Sequence, residues 1–386
     1  MFSRRVEKLA DLVVGNKLSL EFFKIKMEGS NTPEVTETAE DSSGVPRFHP
    51  VLSGVNDIYI KGVSSPKGYE AYLEILPFLS NVTSLRIDGW GFFEFEKNDI
   101  IRFLWPFRTT VRRLEIHQCL CDSAVLIFLT SLFTCIDDLR VNPLCYLGAT
   151  YRIQDSDRFS DVKFQGTLVL TWLEERHKNF MKFVKEHSSN MHSIYVDYCE
   201  KEDMLELLEG QEDQLSTVGI GLGLVEERGK FTVAGCHTTH HNSHFPDGLI
   251  SLSCYTQLRT LSIRFKCDFN NLWKSPNLEI LDTIPSSSPL EEIKLYSTKG
   301  LKADVSIESW GKFDTLLCNC YDRSYANNGT KLCVSLQLYC VESEQEYDWL
   351  MERVGGVWPK FLQKGIVKIV PFCLENMFLG PDTNLV

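Results

Sequence analysis

Apolar side chains recur along this chain in the spacing apolar-x-x-apolar-x-apolar. The clearest copies are Val55-x-x-Ile58-x-Ile60, Val82-x-x-Leu85-x-Ile87, Val111-x-x-Leu114-x-Ile116 and Ile136-x-x-Leu139-x-Val141. A weaker copy, Gln165-x-x-Leu168-x-Leu170, precedes Met191-x-x-Ile194-x-Val196 and Leu215-x-x-Val218-x-Ile220. They begin about 27 residues apart, an interval typical of stacked units that cannot bury their apolar side alone. After a wider gap, Leu258-x-x-Leu261-x-Ile263, Leu290-x-x-Ile293-x-Leu295, Cys333-x-x-Leu336-x-Leu338 and Ile366-x-x-Ile369 continue the series. The gap predicts an inserted loop near residues 225–248, and Leu278-x-x-Leu281 predicts a short, helix-poor unit.

Within one copy, Leu114 and Ile116 alternate with Arg113, Glu115 and His117, which predicts a short strand burying the first pair and exposing the others. Asp122 stands where a helix cap is needed, and Val125, Phe128, Leu129, Leu132 and Phe133 then form one helical stripe. Equivalent stripes are Tyr69, Tyr72, Leu73 and Leu76; Ile100, Phe103, Leu104 and Phe107; and Leu173, His177, Phe180, Met181 and Val184. Strands separated by helices cannot pair as hairpins and run parallel. The expected fold is therefore an α/β solenoid over residues 50–386, with strands on a concave face and helices outside. A closed doubly wound sheet is the competing architecture. Residues 1–49 predict a short helix, a strand from Leu18 to Met27 and an acidic flexible loop.

The repeat resembles the leucine-rich-repeat superfamily, whose units read L-x-x-L-x-L-x-x-N/C-x-L. Two copies carry cysteine at the N/C position, Cys119 and Cys199, a variant similar to that of F-box proteins, and the irregular repeats resemble those of fungal F-box proteins. A horseshoe solenoid is the fold that this resemblance implies. The function it implies is non-catalytic protein–protein recognition, as the substrate-reading part of an F-box-type ubiquitin ligase receptor. The thiol at the N/C position is expected to turn inward and bond backbone groups where the strand ends. No F-box unit appears in Met1 to Pro50, so an F-box-binding adaptor subunit is a partner only if that unit is supplied elsewhere. A free-standing repeat scaffold is the alternative, and an enzyme assembled from distant loops is a further one.

Composition narrows the partners. A net charge of -12 over 386 residues, with basic residues scattered, argues against a nucleic-acid binder. No apolar run is long enough to span a bilayer. Thirteen cysteines without a signal peptide imply reduced thiols in the cytoplasm or nucleus. The partner expected is a protein, with no nucleic acid, membrane or cofactor.

Candidate chemistry is sparse. Cys236 and the His237, His240, His241 and His244 cluster have ligand types suited to zinc or nickel, but a solvated loop is the plainer reading. Asp155, Asp157 and Asp161 lack the glycine and glutamate of a calcium loop, and Gly219, Gly221 and Gly223 lack the acidic partner of a dinucleotide site. Cys119/Cys121 and Cys318/Cys320 read as buried thiols, and the run from Glu200 to Asp213 as a helix with a solvated acidic face. No catalytic or metal-ligating residue is assigned, and the chain is not expected to be an enzyme.

The partner-binding face is expected to hold the outward positions of the strands. These are Tyr59, Arg86, Asp88, Arg113, Glu115, His117 and Arg140, then Tyr195, Asp197, Arg264, Lys294 and Tyr296. Asp57, Lys61, Ser84, Asp138, Asn142 and Ser193 alternate on the same side. Arg86, Arg113 and Arg140 are expected on adjacent rungs, each with an acid nearby on its own strand.

Overall fold

Parallel pairing organises the computed structural model of the chain. It describes residues 13–14, 17–21, 53–62, 76, 79–92, 95–144, 153, 159, 162–171, 173, 175–197, 201–227, 230–234, 251–265, 280–297, 307–329, 331–338, 348, 351–352, 354–356 and 358–371. The chain divides into two units, residues 1–165 with 186–188, and residues 166–185 with 189–386.

In the first unit, β1 (Val13–Val14) pairs antiparallel with β2 (Lys17–Glu21). β2 is followed in order by β3 (Asp57–Lys61), β4 (Ser84–Asp88), β5 (Arg113–Leu120) and β6 (Cys135–Leu144), each parallel to the last. The register aligns the repeat: Ile58, Leu85, Leu114 and Leu139 are neighbours, as are Ile60, Ile87, Ile116 and Val141. All eight are at most 2 % exposed. Fully burying each such side chain contributes roughly 1.5–3 kcal/mol, so the aligned rows hold the sheet to its helices.

Backbone bonds set the phase where each strand begins. The Asn56 carbonyl accepts from Thr83 N and Ser84 N, the Thr83 carbonyl from Arg112 N and Arg113 N, and the Arg112 carbonyl from Asp137 N and Asp138 N. The second unit repeats the device at Ser216, whose carbonyl accepts from Arg259 N and Thr260 N, and at Arg259, whose carbonyl accepts from Glu291 N and Glu292 N.

Helix α1 (Lys97–Leu104) starts at Glu96, which forms a capping box with Asp99. It buries Ile100, Phe103 and Leu104, and Phe107 is buried in the turn that follows. Trp90 stacks on Phe95 at 5.2 Å and tilts against Phe92 and Phe103, filling the space beneath this helix. Helix α2 (Ser123–Ser131) is capped by Asp122, whose carboxylate accepts from Val125 N at 3.0 Å. At the end of β5, Gln118 takes a left-handed φ of 50° in a bulge and turns Cys119 inward. Its thiol lies 3.3 Å from the His117 carbonyl and 3.6 Å from that of Ile87, the inward role expected of it. Cys199 lies outside the described residues.

The second unit contains β7 (Lys163–Thr171, from Gly166 onward), α3 (Lys178–His187, up to Lys185), β8 (Ser188–Asp197, from Ser189), α4 (Lys201–Leu208) and β9 (Thr217–Glu227). β9 turns back into the antiparallel β10 (Lys230–Ala234), so a hairpin occupies the start of the expected insertion. The parallel series continues through β11 (Thr260–Phe265), β12 (Glu292–Ser297), β13 (Cys333–Leu338) and β14 (Ile366–Pro371). Val218, Leu261, Ile293 and Val334 align and are buried. Leu281 belongs to a short helix, α5 (Ile280–Thr283), and α6 (Ile307–Asn328) spans 22 residues between β12 and β13. The buried Asp314 of α6 accepts from Lys360 N and Phe361 N, fixing the start of α7 (Pro359–Leu362). In α4, Met204, Leu207 and Leu208 are buried, as the acidic run predicts, while Lys185 pairs with Glu209 at 3.0 Å.

The horseshoe is corrected. In each unit the parallel sheet is open, flanked by helices and not strongly curled, which places the fold in the open parallel α/β class and not among leucine-rich-repeat solenoids. Strong curl needs an outer layer whose width differs from the strand spacing by the same amount in every repeat. In the second unit the helices between strands range from the four-residue α5 to the 22-residue α6, so no constant wedge builds up there.

Replacing Leu114 or Leu139 with Ala should cost about 2–5 kcal/mol in urea unfolding. Arg112→Ala, at an exposed position beside the same strand, should cost less than about 0.5 kcal/mol. Equal losses at positions 112 and 114 would contradict the register.

Candidate functional site

Alternation along β3 to β6 places every second residue on the face opposite the core. The register sorts these residues into three rows. One runs Asp57, Ser84, Arg113, Asp138; the next Tyr59, Arg86, Glu115, Arg140; the third Lys61, Asp88, His117, Asn142. All seven residues expected from this unit therefore share one face.

Their pairing differs from the expected ladder. Arg86 and Arg140 stand in the same row with Glu115 between them, while Arg113 lies in the row beside it. The own-strand acids are where the spacing puts them. Arg113 Nη2 and Nε donate to Glu115 Oε1 at 2.6 and 2.9 Å. Arg140 Nε and Nη2 donate to the two oxygens of Asp138 at 2.8 and 2.9 Å, and Arg86 Nη2 donates to Asp88 at 3.4 Å. Between strands, Arg113 Nε lies 3.5 Å from Asp138, Arg86 Nε 3.8 Å from Glu115, and Arg140 Nε 3.9 Å from Glu115. The guanidiniums are thus joined through carboxylates into one network.

Burial follows from that pairing. Glu115 and Arg140 are each 6 % exposed, so Glu115 is not the solvated position that alternation suggests. Asp88 collects three partners: the Tyr59 hydroxyl at 3.0 Å, Arg86 at 3.4 Å and His117 Nδ1 at 3.5 Å. Burial alone raises the Asp88 pKa, but the His117 and Tyr59 hydrogen bonds and the Arg86 charge outweigh it and hold the carboxyl below its ordinary 3.8. The Arg86 guanidinium also covers the Tyr59 ring, 4.9 Å from its centroid.

The remaining five expected residues belong to the second unit. Tyr195 is half-buried, and its ring lies over Gly219 on β9; a Cβ added there would stand 1.9 Å from the ring. Asp197 and Arg264 occupy register positions on either side of Gly221. Lys294 pairs with Glu292 at 3.5 Å, and burial pushes the Tyr296 hydroxyl up to about 12. Ser335, which donates to Glu292 at 2.5 Å, was missed by sequence reasoning. The alternation Cys333, Ser335, Gln337 carried that signal.

Other candidate chemistry is negative or undescribed. The His237 to His244 cluster and Asp155, Asp157 and Asp161 lie outside the described residues. Among the described residues no group of three or more His, Cys, Asp or Glu side chains could hold a metal ion. Cys119, Cys121, Cys318 and Cys320 are buried, and burial pushes the Cys119 thiol up to about 12 and that of Cys320 to about 11. No helix among the described residues is long and apolar enough to cross a membrane.

Glu115→Ala removes a buried carboxylate that three guanidiniums share, leaving Arg113 and Arg140 on Asp138 and Arg86 on Asp88, and should cost on the order of 3 kcal/mol, well above a surface change. Because the folded pKa of Asp88 is depressed, its contribution is present above 3.8 and lost as the pH falls through the folded value. Asp88→Asn should therefore flatten the acid limb of a urea-midpoint profile; an unchanged limb would mean that Asp88 is not linked to folding. Gly219→Ala should destabilise by about 1–3 kcal/mol through collision with Tyr195, and Tyr195→Ala should relieve that loss in a double-mutant cycle.

No family model matches the chain, and no curated protein matches it. With the horseshoe gone, the inferred role of a leucine-rich-repeat, F-box-type recognition scaffold loses its structural basis: an open parallel α/β sheet carrying a buried ion-pair network does not fit it, and nothing connects the chain to a ubiquitin ligase.

Proposed function

We propose that this protein is a free-standing, non-catalytic binding module, and that the polar face of β3 to β6 receives a small polar ligand. The observation that carries this reading is the charge network itself. Six ionised side chains, three of each sign, are drawn together on one sheet face with Glu115 and Arg140 almost wholly buried. Buried ion pairs are poor sources of stability, because desolvation offsets most of their attraction. Apolar residues would hold this face at least as well, so the network is better accounted for by what it presents than by what it stabilises.

Several features support binding over catalysis. The side chains are locked by mutual hydrogen bonds, which suits recognition by fixed donors and acceptors. The Cys119 thiol at the end of β5 is turned inward, and burial pushes it up to about 12, so it offers this face no thiolate nucleophile at neutral pH. An acidic chain of net charge -12 disfavours nucleic acid as the ligand. The many cysteines suit a reducing compartment, cytoplasm or nucleus.

The test is a fragment screen of small polar compounds against the isotope-labelled full chain, read by amide shifts. Hits should map to the strands around Tyr59, Arg86, Arg113 and His117, and should vanish in Arg86→Ala/Arg113→Ala. Hits that map elsewhere, or that survive the double substitution unchanged, would refute the assignment.

A further inference from the structure

The sign balance of the network selects among ligand chemistries. Arg86, Arg113 and Arg140 are matched by Asp88, Glu115 and Asp138. An anion entering here gains three guanidiniums but meets three carboxylates, and a cation meets the reverse. Neither sign is favoured by the fixed charge.

A hydroxyl group is suited to such a surface, because it donates one hydrogen bond and accepts others. It can take an N–H from arginine while giving its own proton to the adjacent carboxylate. Here the two kinds of partner alternate: Arg86, Glu115 and Arg140 follow one another in one row, and Arg113 and Asp138 adjoin in the next. The reachable edges are Arg113, Arg86 and Asp138, with side chains 30 %, 27 % and 21 % exposed. Arg86 is further steadied on the Tyr59 ring, so the donors are held before a ligand arrives.

We propose that the β3 to β6 face binds a neutral, polyhydroxylated ligand of the sugar class, whose neighbouring hydroxyls bridge arginine donors and carboxylate acceptors. This rests on the reading of that face as the ligand-binding surface. Hydrogen bonds to charged partners carry most of the affinity, and the fixed alternation along the rows supplies the selectivity.

The experiment titrates the labelled full chain with a panel of neutral hexoses and their disaccharides, and with glucuronate and glucosamine as negatively and positively charged counterparts. At least one neutral sugar should shift the amides of β3 to β6 and bind several-fold more tightly than either charged counterpart. Arg113→Lys, which keeps the charge but loses the planar donor pair, should weaken that sugar about tenfold with little change in melting temperature. Tighter binding of glucuronate or glucosamine at these strands would overturn the neutral-ligand proposal while leaving the face as a binding surface. If no panel member shifts these amides, the sugar proposal falls; the fragment screen then decides whether the face binds anything, and a blank there removes both readings.

Discussion

Register is the constraint on which everything else in the first unit depends. Because Leu85, Leu114 and Leu139 are neighbours, Arg86, Glu115 and Arg140 are neighbours too, on the other face. A slip of one residue would turn Glu115 toward Trp90 and Phe103 and push Leu114 into water. The apolar rows and the polar network are therefore one structural fact seen from two sides. Apolar burial supplies the free energy that holds the register, and the register forces six charges into mutual reach.

That arrangement separates stability from specificity. The core face draws on side chains whose exposure is near zero, with an aromatic group around Trp90 filling the layer under α1. The polar face carries pairs that give little net stability but resist rearrangement, since each guanidinium is shared between acids on its own and adjacent strands. The cost of disturbing one member, Glu115 above all, comes from three buried or half-buried guanidiniums each losing one of two acids.

Much of this was legible in the residues, and the illegible parts have physical reasons. Period-two alternation marked Leu114 and Ile116 as core, Asp122 marked a helix start, and Cys119 marked an inward thiol; these features depend on a few neighbouring residues. Long α6 was missed because Gly311 and its run of Asn, Cys and Tyr residues give weak helical propensity, so packing and not local preference forms it. Leu278-x-x-Leu281 reads as a helix-poor unit because a short apolar spacing does not distinguish four helical residues from an extended segment. Curvature is not legible in the residues, because repeat spacing encodes strand order and not the width of the outer layer. Within the site, the acid two residues from each arginine was readable. The cross-strand contacts that bury Glu115 were not, since they require the register of two strands at once.

The shared carbonyls at Asn56, Thr83, Arg112, Ser216 and Arg259 carry an implication for how such a chain can vary over time. Each one receives two successive amides of the strand beside it, so alignment is decided at the point of docking and not by the length of the path that leads there. A crossover can then gain or lose residues, as the contrast between α5 and α6 illustrates, without displacing a single rung. Insertions in the outer layer become a source of variety that leaves the opposite face untouched, and the two sides of the sheet are free to diverge at different rates.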